Sequence, residues 1–449
     1  MSAVVHAMAT RKVATHLLPM LAFAYFMAFV DRSNVGLAKT SLEVEVGISA
    51  AAYGFGAGVF FISYALLEIP SNLVLHKIGP RRWIARIAVT WGLISSAMMF
   101  INDAWTFYVL RFLLGAAEAG LYPGLMYVVT IWFAQKDRAR VVGYLLIASS
   151  AAYALGNLAG GALMTLDGVW GLQGWQWLFL VEGIPSIVVG ILIWFRLPDS
   201  PEKAPWLTRE EAASLVEKAA RPGANEIRGR LTAGFRSPVI LCVAGIYFMN
   251  QIITYGTVFF VPAVVESLGV SGSVRIGILA GAVGLGAIAG VLIFPRLLRR
   301  YGREVPLIAL SCAGLAVFAA AFLLLADPAA KYLTLVCSFF LFTGMLPLLW
   351  SVAMARVSGK MAAGVLAFIN TIGLTGGFLG PYLFGIAEGS TGTASAGLVV
   401  VIISAGFGLL LVLPLSVAIR RGELSAERAR SRLSETECRG VDTHGAAVE

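Results

Sequence analysis

The stretch Leu17-Leu-Pro-Met-Leu-Ala-Phe-Ala-Tyr25-Phe-Met-Ala-Phe-Val-Asp31-Arg32 decides the fold. It belongs to an apolar run over residues 14–37, long enough to cross roughly 30 Å of hydrocarbon at about 1.5 Å per residue of helix. Arg11 and Lys12 precede it, but the run is too long for the apolar core of a signal peptide and no small-residue cleavage site follows. It reads as a retained first membrane helix. The same run then places an acid beside a base at membrane depth, where each charge costs about 2.5–3.5 kcal/mol on insertion scales.

Working outward, apolar runs recur near residues 50–75, 83–101, 105–133, 138–166 and 175–197, and again near 238–266, 273–297, 304–326, 331–356, 361–388 and 394–419. Across 449 residues, 58% are hydrophobic and 13% charged, and mean hydropathy is +0.82. A water-soluble surface needs about a quarter charged residues, so soluble domains are excluded. The runs are continuous rather than alternating, which excludes a β-barrel. The expected fold is therefore all-α and polytopic: an N-terminal six-helix bundle (1–197), a cytoplasmic linker (198–237), a C-terminal six-helix bundle (238–419) and a charged tail (420–449) without fixed structure. Thr208-Arg-Glu-Glu211 reads as the capped start of a short surface helix in the linker.

The net charge of +9 resolves as topology. With the N-terminus inside, about 29 of the 34 Lys and Arg residues fall in inside segments, and three, Lys39, Arg275 and Lys331, fall outside. That asymmetry places both termini in the cytoplasm and removes any need for a nucleic-acid partner. An internal echo supports two halves: Lys77-Ile-Gly79-Pro-Arg81-Arg82 after the second helix returns as Arg299-Arg300-Tyr-Gly302-Arg303 after the eighth.

Four charges sit inside the first half: Asp31, Arg32, Arg111 and Glu118. Arg111 and Glu118 are seven apart and share a helix face. Counted along the runs above, Arg111 shares the depth of Asp31 and Arg32, with Glu118 nearer the midplane. One reading pairs Asp31 with Arg32 and Arg111 with Glu118 as packing partners; apolar residues would pack as well without the desolvation penalty. The functional reading gives Arg32 to a substrate carboxylate, which its planar fork engages bidentately, with Arg111 in support. Glu118 and Asp31 then carry protons, since low dielectric disfavours a carboxyl group's charged form. The second half answers with neutral groups, Tyr247, Gln251, Thr254 and Tyr255 on the seventh helix and Asn370 and Thr371 on the eleventh, and Tyr25 joins them from the first.

Three motifs carry a resemblance: Phe29-Val-Asp-Arg-Ser-Asn-Val-Gly36, Tyr64-Ala-Leu-Leu-Glu-Ile-Pro-Ser-Asn72 and Arg111-Phe-Leu-Leu-Gly-Ala-Ala-Glu-Ala-Gly-Leu-Tyr-Pro-Gly124, extended by Asn370-Thr-Ile-Gly and Gly376-Gly-Phe-Leu-Gly-Pro381. The chain resembles the major facilitator superfamily, and more narrowly its anion:cation symporter family, with tartrate, phthalate and hydroxyphenylacetate permeases among the similar members. The resemblance implies alternating access, Arg32 on the substrate carboxylate, and Asp31 and Glu118 in proton symport. It also implies gating by the loop after the second helix, here Lys77, Gly79, Arg81 and Arg82, although His76 stands where the family carries an Asp.

The expected protein is thus a proton-coupled importer of an organic carboxylate such as tartrate, an aromatic acid or a sugar acid. Its partners are a small organic anion, protons and membrane lipid. It works as a monomer in the bacterial inner membrane, with no cofactor or metal. Rivals are a proton-driven exporter of the same fold and a transporter-like sensor. An enzyme is disfavoured because no metal, nucleophile or phosphate-loop motif is present. Glu182 reads as a structural acid and Glu388 as a wetted helix end.

Overall fold

A computed structural model of the protein describes residues 3–219, 236–356 and 359–444. It is built from helices: α1 (Ala3–Glu45), α2 (Ala50–Ile78), α3 (Pro80–Ala97), α4 (Ala104–Glu118), α5 (Leu121–Trp132), α6 (Gln135–Leu163), α7 (Gly174–Arg196), α8 (Arg209–Ala219), α9 (Pro238–Glu266), α10 (Ser273–Tyr301), α11 (Glu304–Leu324), α12 (Pro328–Met354), α13 (Gly359–Thr391) and α14 (Leu398–His444). Among the described residues twelve spans are long and apolar enough to cross a membrane, α4 and α5 together forming one of them. The end of the molecule carrying the α1–α2 loop is called the outer end below, and the opposite end the inner.

Three expectations need correction. The first helix does not stop at Leu37 but runs to Glu45, because no glycine or proline interrupts Lys39-Thr-Ser-Leu-Glu43-Val-Glu45. Counted from the outer ends of their helices, Glu45 and Ala104, Arg32 and Glu118 therefore lie level, and the depth difference expected between them disappears. The fourth span is not continuous: it breaks directly after Glu118, where Gly120 takes a left-handed backbone (φ 89°). A Cβ there would stand 2.2 Å from Ser71 Oγ, so only glycine fits the turn. Finally, the backbone after Arg420 stays helical to His444, in keeping with its run of Ala, Glu and Arg, which are strong helix formers.

Within the first half α3 packs on α7 and α1 on α6 and α7; within the second, α11 packs on α12 and α14. The halves meet along α2 against α13, α6 against α10, and α1 against α9. This seam is tight at the outer end because glycines let backbones touch. Cβ atoms added at Gly54, Gly385 and Gly161 would reach Pro381 O at 2.3 Å, Ala50 O at 2.3 Å and Ser273 O at 2.6 Å. Tyr53 donates from α2 to Val35 O (3.0 Å) and Phe259 O (3.2 Å). In the linker, α8 begins as expected: Thr208 N donates to Glu211 Oε2 (2.9 Å) and Glu211 N to Thr208 Oγ1 (3.2 Å), a reciprocal cap.

Candidate substrate and proton site

A cavity of about 250 Å³ lies between the halves on the inner side of this seal. Three larger clefts, of about 820, 660 and 450 Å³, lie at inner helix ends and the linker, but Arg32 lines none of them. The seam cavity is lined from both bundles, by Tyr25, Arg32, Tyr64 and Glu68 from the first and by Tyr247, Gln251, Tyr255 and Asn370 from the second.

Arg32 is its single cation among the described lining residues. Its Nη2 donates to Glu118 Oε1 in an ion pair, with Glu118 almost wholly buried behind it. The guanidinium also stands over the rings of Phe29 (5.0 Å), Phe60 (5.2 Å) and Tyr64 (5.3 Å), favourable cation–π placements. Among the described residues Arg32 Nε and Glu118 Oε2 have no hydrogen-bond partner. The fork therefore retains a donor for a further acceptor, and the carboxylate retains a lone oxygen.

The structure pairs the other charges differently from either arrangement considered above. Asp31 is held by three neutral donors, Trp91 Nε1, Ser95 Oγ (2.9 Å) and Ser186 Oγ (3.5 Å), and does not line the cavity. Arg111 is fully buried and gives Nη2 to Ala57 O (2.9 Å) and Nε to Gly56 O (3.4 Å), bracing α4 against α2. It too stays outside the cavity lining, so the expectation that it touches substrate is not supported by its placement. Glu182 is buried on α7, near Asp31 and Asn34.

In the second half Tyr247, Gln251, Thr254 and Tyr255 line one wall, and Tyr255 adjoins both Arg32 and Gln251. Asn370 lines it too and donates to Glu68 across the seam (3.4 Å). Thr371 is exposed and outside the lining, because the helical step of one residue turns it away. Every buried Asp, Glu, Lys or Arg among the described residues lies before position 237, so buried charge belongs to the first half and its linker.

Of the expected gating residues, Lys77 and Arg82 are exposed and Arg81 faces Asp199 at 3.8 Å, an acid just past the inner end of α7. Gly79 makes this possible: its φ of 96° suits glycine, and a Cβ would stand 3.1 Å from Asp199 Oδ1. Where the family's loop carries an Asp, His76 instead lies edge-on to Tyr127, ring centroids 4.5 Å apart.

Lys39 was read only as a topology marker. Counted as an outer-loop base, it is 1% exposed and gives Nζ to Glu43 (2.9 Å) and to Glu388 of α13 (2.8 Å). Glu388 is thus a cross-seam partner rather than a wetted helix end. The i, i+4 spacing of Lys39 and Glu43 was the available signal. Trp91 and Ser95, which hold Asp31, gave none, since contacts between helices are not encoded in spacing along one of them.

Twelve spans in two bundles around a charged central cavity define a multi-pass membrane transporter. Residues 21–381 match the family model described as Major Facilitator Superfamily, and the chain belongs to that superfamily. A protein of Agrobacterium vitis named "Putative tartrate transporter" is 36% identical, with 90% of this chain and 89% of that protein covered. The Quinolone resistance transporter of Acinetobacter baumannii is 35% identical over 89% and 93%. Among solved structures, an inward-facing, unoccupied bacterial homologue of the human lysosomal transporter Spinster superposes with a TM-score of 0.74 at 18% identity, over 93% of this chain and 99% of that one. A D-xylose–proton symporter superposes with a TM-score of 0.72 at 15% identity, over 89% and 97%.

Proposed function

We propose that the chain is a proton-coupled symporter that takes up an organic carboxylate by alternating access. Two bundles, 1–197 and 238–419, rock about the seam. The linker 198–237 and the tail from 420 lie in the cytoplasm, and the protein works as a monomer in the bacterial inner membrane. The observation that carries this reading is the Arg32–Glu118 pair. Arg32 is at once the cavity's cation and the partner of a buried acid, so a substrate carboxylate and Glu118 compete for one guanidinium. When substrate takes the fork, Glu118 becomes a buried charge without a counterion, and uptake of a proton restores neutrality. Substrate and proton then bind together and leave together. Asp31, held by neutral donors, serves as a second proton site.

The test uses proteoliposomes containing a pH dye, given 4-hydroxyphenylacetate, phthalate, tartrate and gluconate in turn. In the wild type at least one acid carries protons inward. Glu118→Gln still exchanges that acid across the membrane but no longer moves protons or accumulates acid against a gradient. Accumulation by Glu118→Gln equal to the wild type would remove Glu118 from the coupling role. A second reading, proton-driven export, draws support from the likeness to the Acinetobacter baumannii protein. Deletion then sensitises cells to a quinolone, where an importer's deletion stops growth on the acid.

A further inference from the structure

The cavity lining is unusual in what it offers and in what it withholds. Ten of the twenty-three described lining residues are aromatic, and six of the chain's 13 tyrosines are among them. They form two walls. On the first-half side Tyr25 packs against Phe29 (centroids 5.0 Å) and Tyr122 (5.6 Å), and Phe29 against Tyr153 (5.8 Å). On the second-half side Tyr247 lies edge-on to Trp350 (5.4 Å). A flat ring entering between them meets π-faces and edges from both bundles.

The serine and threonine hydroxyls of the lining already donate within their own helices. Ser149 and Ser150 donate to Leu146 O (2.9 and 3.0 Å), Thr254 to Asn250 O (2.8 Å) and Thr343 to Phe339 O (2.6 Å). The charge balance is equally selective. Among the described lining residues the cavity has one cation, already shared with Glu118, and one acid, Glu68, within electrostatic reach of Arg32. A single substrate carboxylate can displace Glu118 from Arg32. A second one finds no further cation in the lining and has Glu68 to repel it.

We propose that the site selects a singly charged aromatic acid, with Arg32 taking the carboxylate, the opposed aromatic walls taking the ring, and Glu68 excluding dicarboxylates. The proposal rests on the carboxylate-transport reading above and goes beyond it by choosing among acids that reading leaves equal. The volume of about 250 Å³, just under the ~300–1,000 Å³ of typical ligand pockets, fits a one-ring acid.

The test is calorimetric binding to the purified full chain in detergent at one pH, using 4-hydroxyphenylacetate, phthalate, tartrate and gluconate. The wild type binds 4-hydroxyphenylacetate at least about tenfold more tightly than the other three. Glu68→Gln tightens phthalate about tenfold more than it tightens 4-hydroxyphenylacetate, and an unchanged melting temperature shows that the variant is folded. Trp350→Leu weakens 4-hydroxyphenylacetate about tenfold without changing tartrate. Tartrate or gluconate binding as tightly as the aromatic acid overturns this inference and leaves carboxylate transport standing. Phthalate affinity unmoved by Glu68→Gln removes Glu68 as the filter. Binding of no acid at all sinks the transport reading and this inference with it.

Discussion

The two ends of the molecule are held together in opposite ways. At the outer end the polar contacts cross between the halves: Lys39 reaches Glu388, Thr40 reaches Glu266 (2.8 Å), and Tyr53 reaches Phe259 O. At the inner end three of the clasps among the described residues stay within the first half and its linker. Lys12 pairs with Glu211 (2.8 Å), Arg81 with Asp199, and His16, Trp206 and Trp132 form a ring stack with centroids 4.6 and 5.7 Å apart. Parting the halves at the outer end breaks the outer contacts, whereas these inner ones, each within the first half and its linker, are untouched by it.

The largest effect is expected where the outer seam is tightest. Gly54→Val places a branched side chain against Pro381 O, which a Cβ alone would meet at 2.3 Å, so the seal cannot close as observed. In a cysteine-free background carrying Gln251→Cys, an impermeant thiol reagent added outside cells should label the Gly54→Val variant several-fold faster than the chain that keeps its glycine. Unchanged labelling would mean that this seam is not the gate.

Next comes the ion network. Glu388→Ala leaves the buried Lys39 with Glu43 alone. Removing one partner of a buried pair costs about 3–5 kcal/mol, and the remaining acid should keep the loss near or below the lower figure. The melting temperature should fall, and the double variant Lys39→Met with Glu388→Leu should recover most of it, since apolar residues avoid the desolvation penalty. A double variant no better than Glu388→Ala would show that the pair does more than neutralise itself.

Inner-end changes should be small. Arg81→Ala removes a 3.8 Å pair that is about a third exposed on each side, so its effect on melting should stay under about 1 kcal/mol. A larger loss would move Arg81 from brace to gate. Smallest is Lys12→Ala. Lys12, with help from the Thr208 amide, holds the Glu211 carboxyl below the usual carboxylate range. A depressed folded value means that the contribution is present above about pH 4.3, the ordinary glutamate value, and disappears as pH falls through the folded one. Melting curves of Lys12→Ala and wild type should differ by no more than about 1 kcal/mol at pH 7 and converge in acid.

This contrast also marks what could be read from sequence. The spans were legible because membrane insertion imposes a length and an apolar composition that any reader can count. Arg32 and Glu118 were legible as charges out of place, though not as each other's partners; that depended on where the first helix ends, and nothing in Lys39–Glu45 advertises a membrane end. Arg111 was misplaced for a different reason. Being seven residues from Glu118 fixes a helix face but not what that face meets, and here it meets the carbonyls of α2. The outer seam was invisible, since Gly54 and Pro381 are neighbours only after both bundles have folded.

The break between α4 and α5 bears on how the site could change state. An unbroken rod would tie Glu118 to everything as far as Trp132. With a left-handed glycine two residues beyond the acid, the span is jointed at its working residue. The inner segment Leu121–Trp132, which brings Tyr122 to the cavity wall, can tilt while Arg111 keeps the outer segment pinned to α2. Tyr122 in the cavity wall and the buried Glu118 thus lie on opposite sides of one knuckle; if they are the substrate contact and proton site proposed above, a small swing alters the grip on a ring without dragging the acid along.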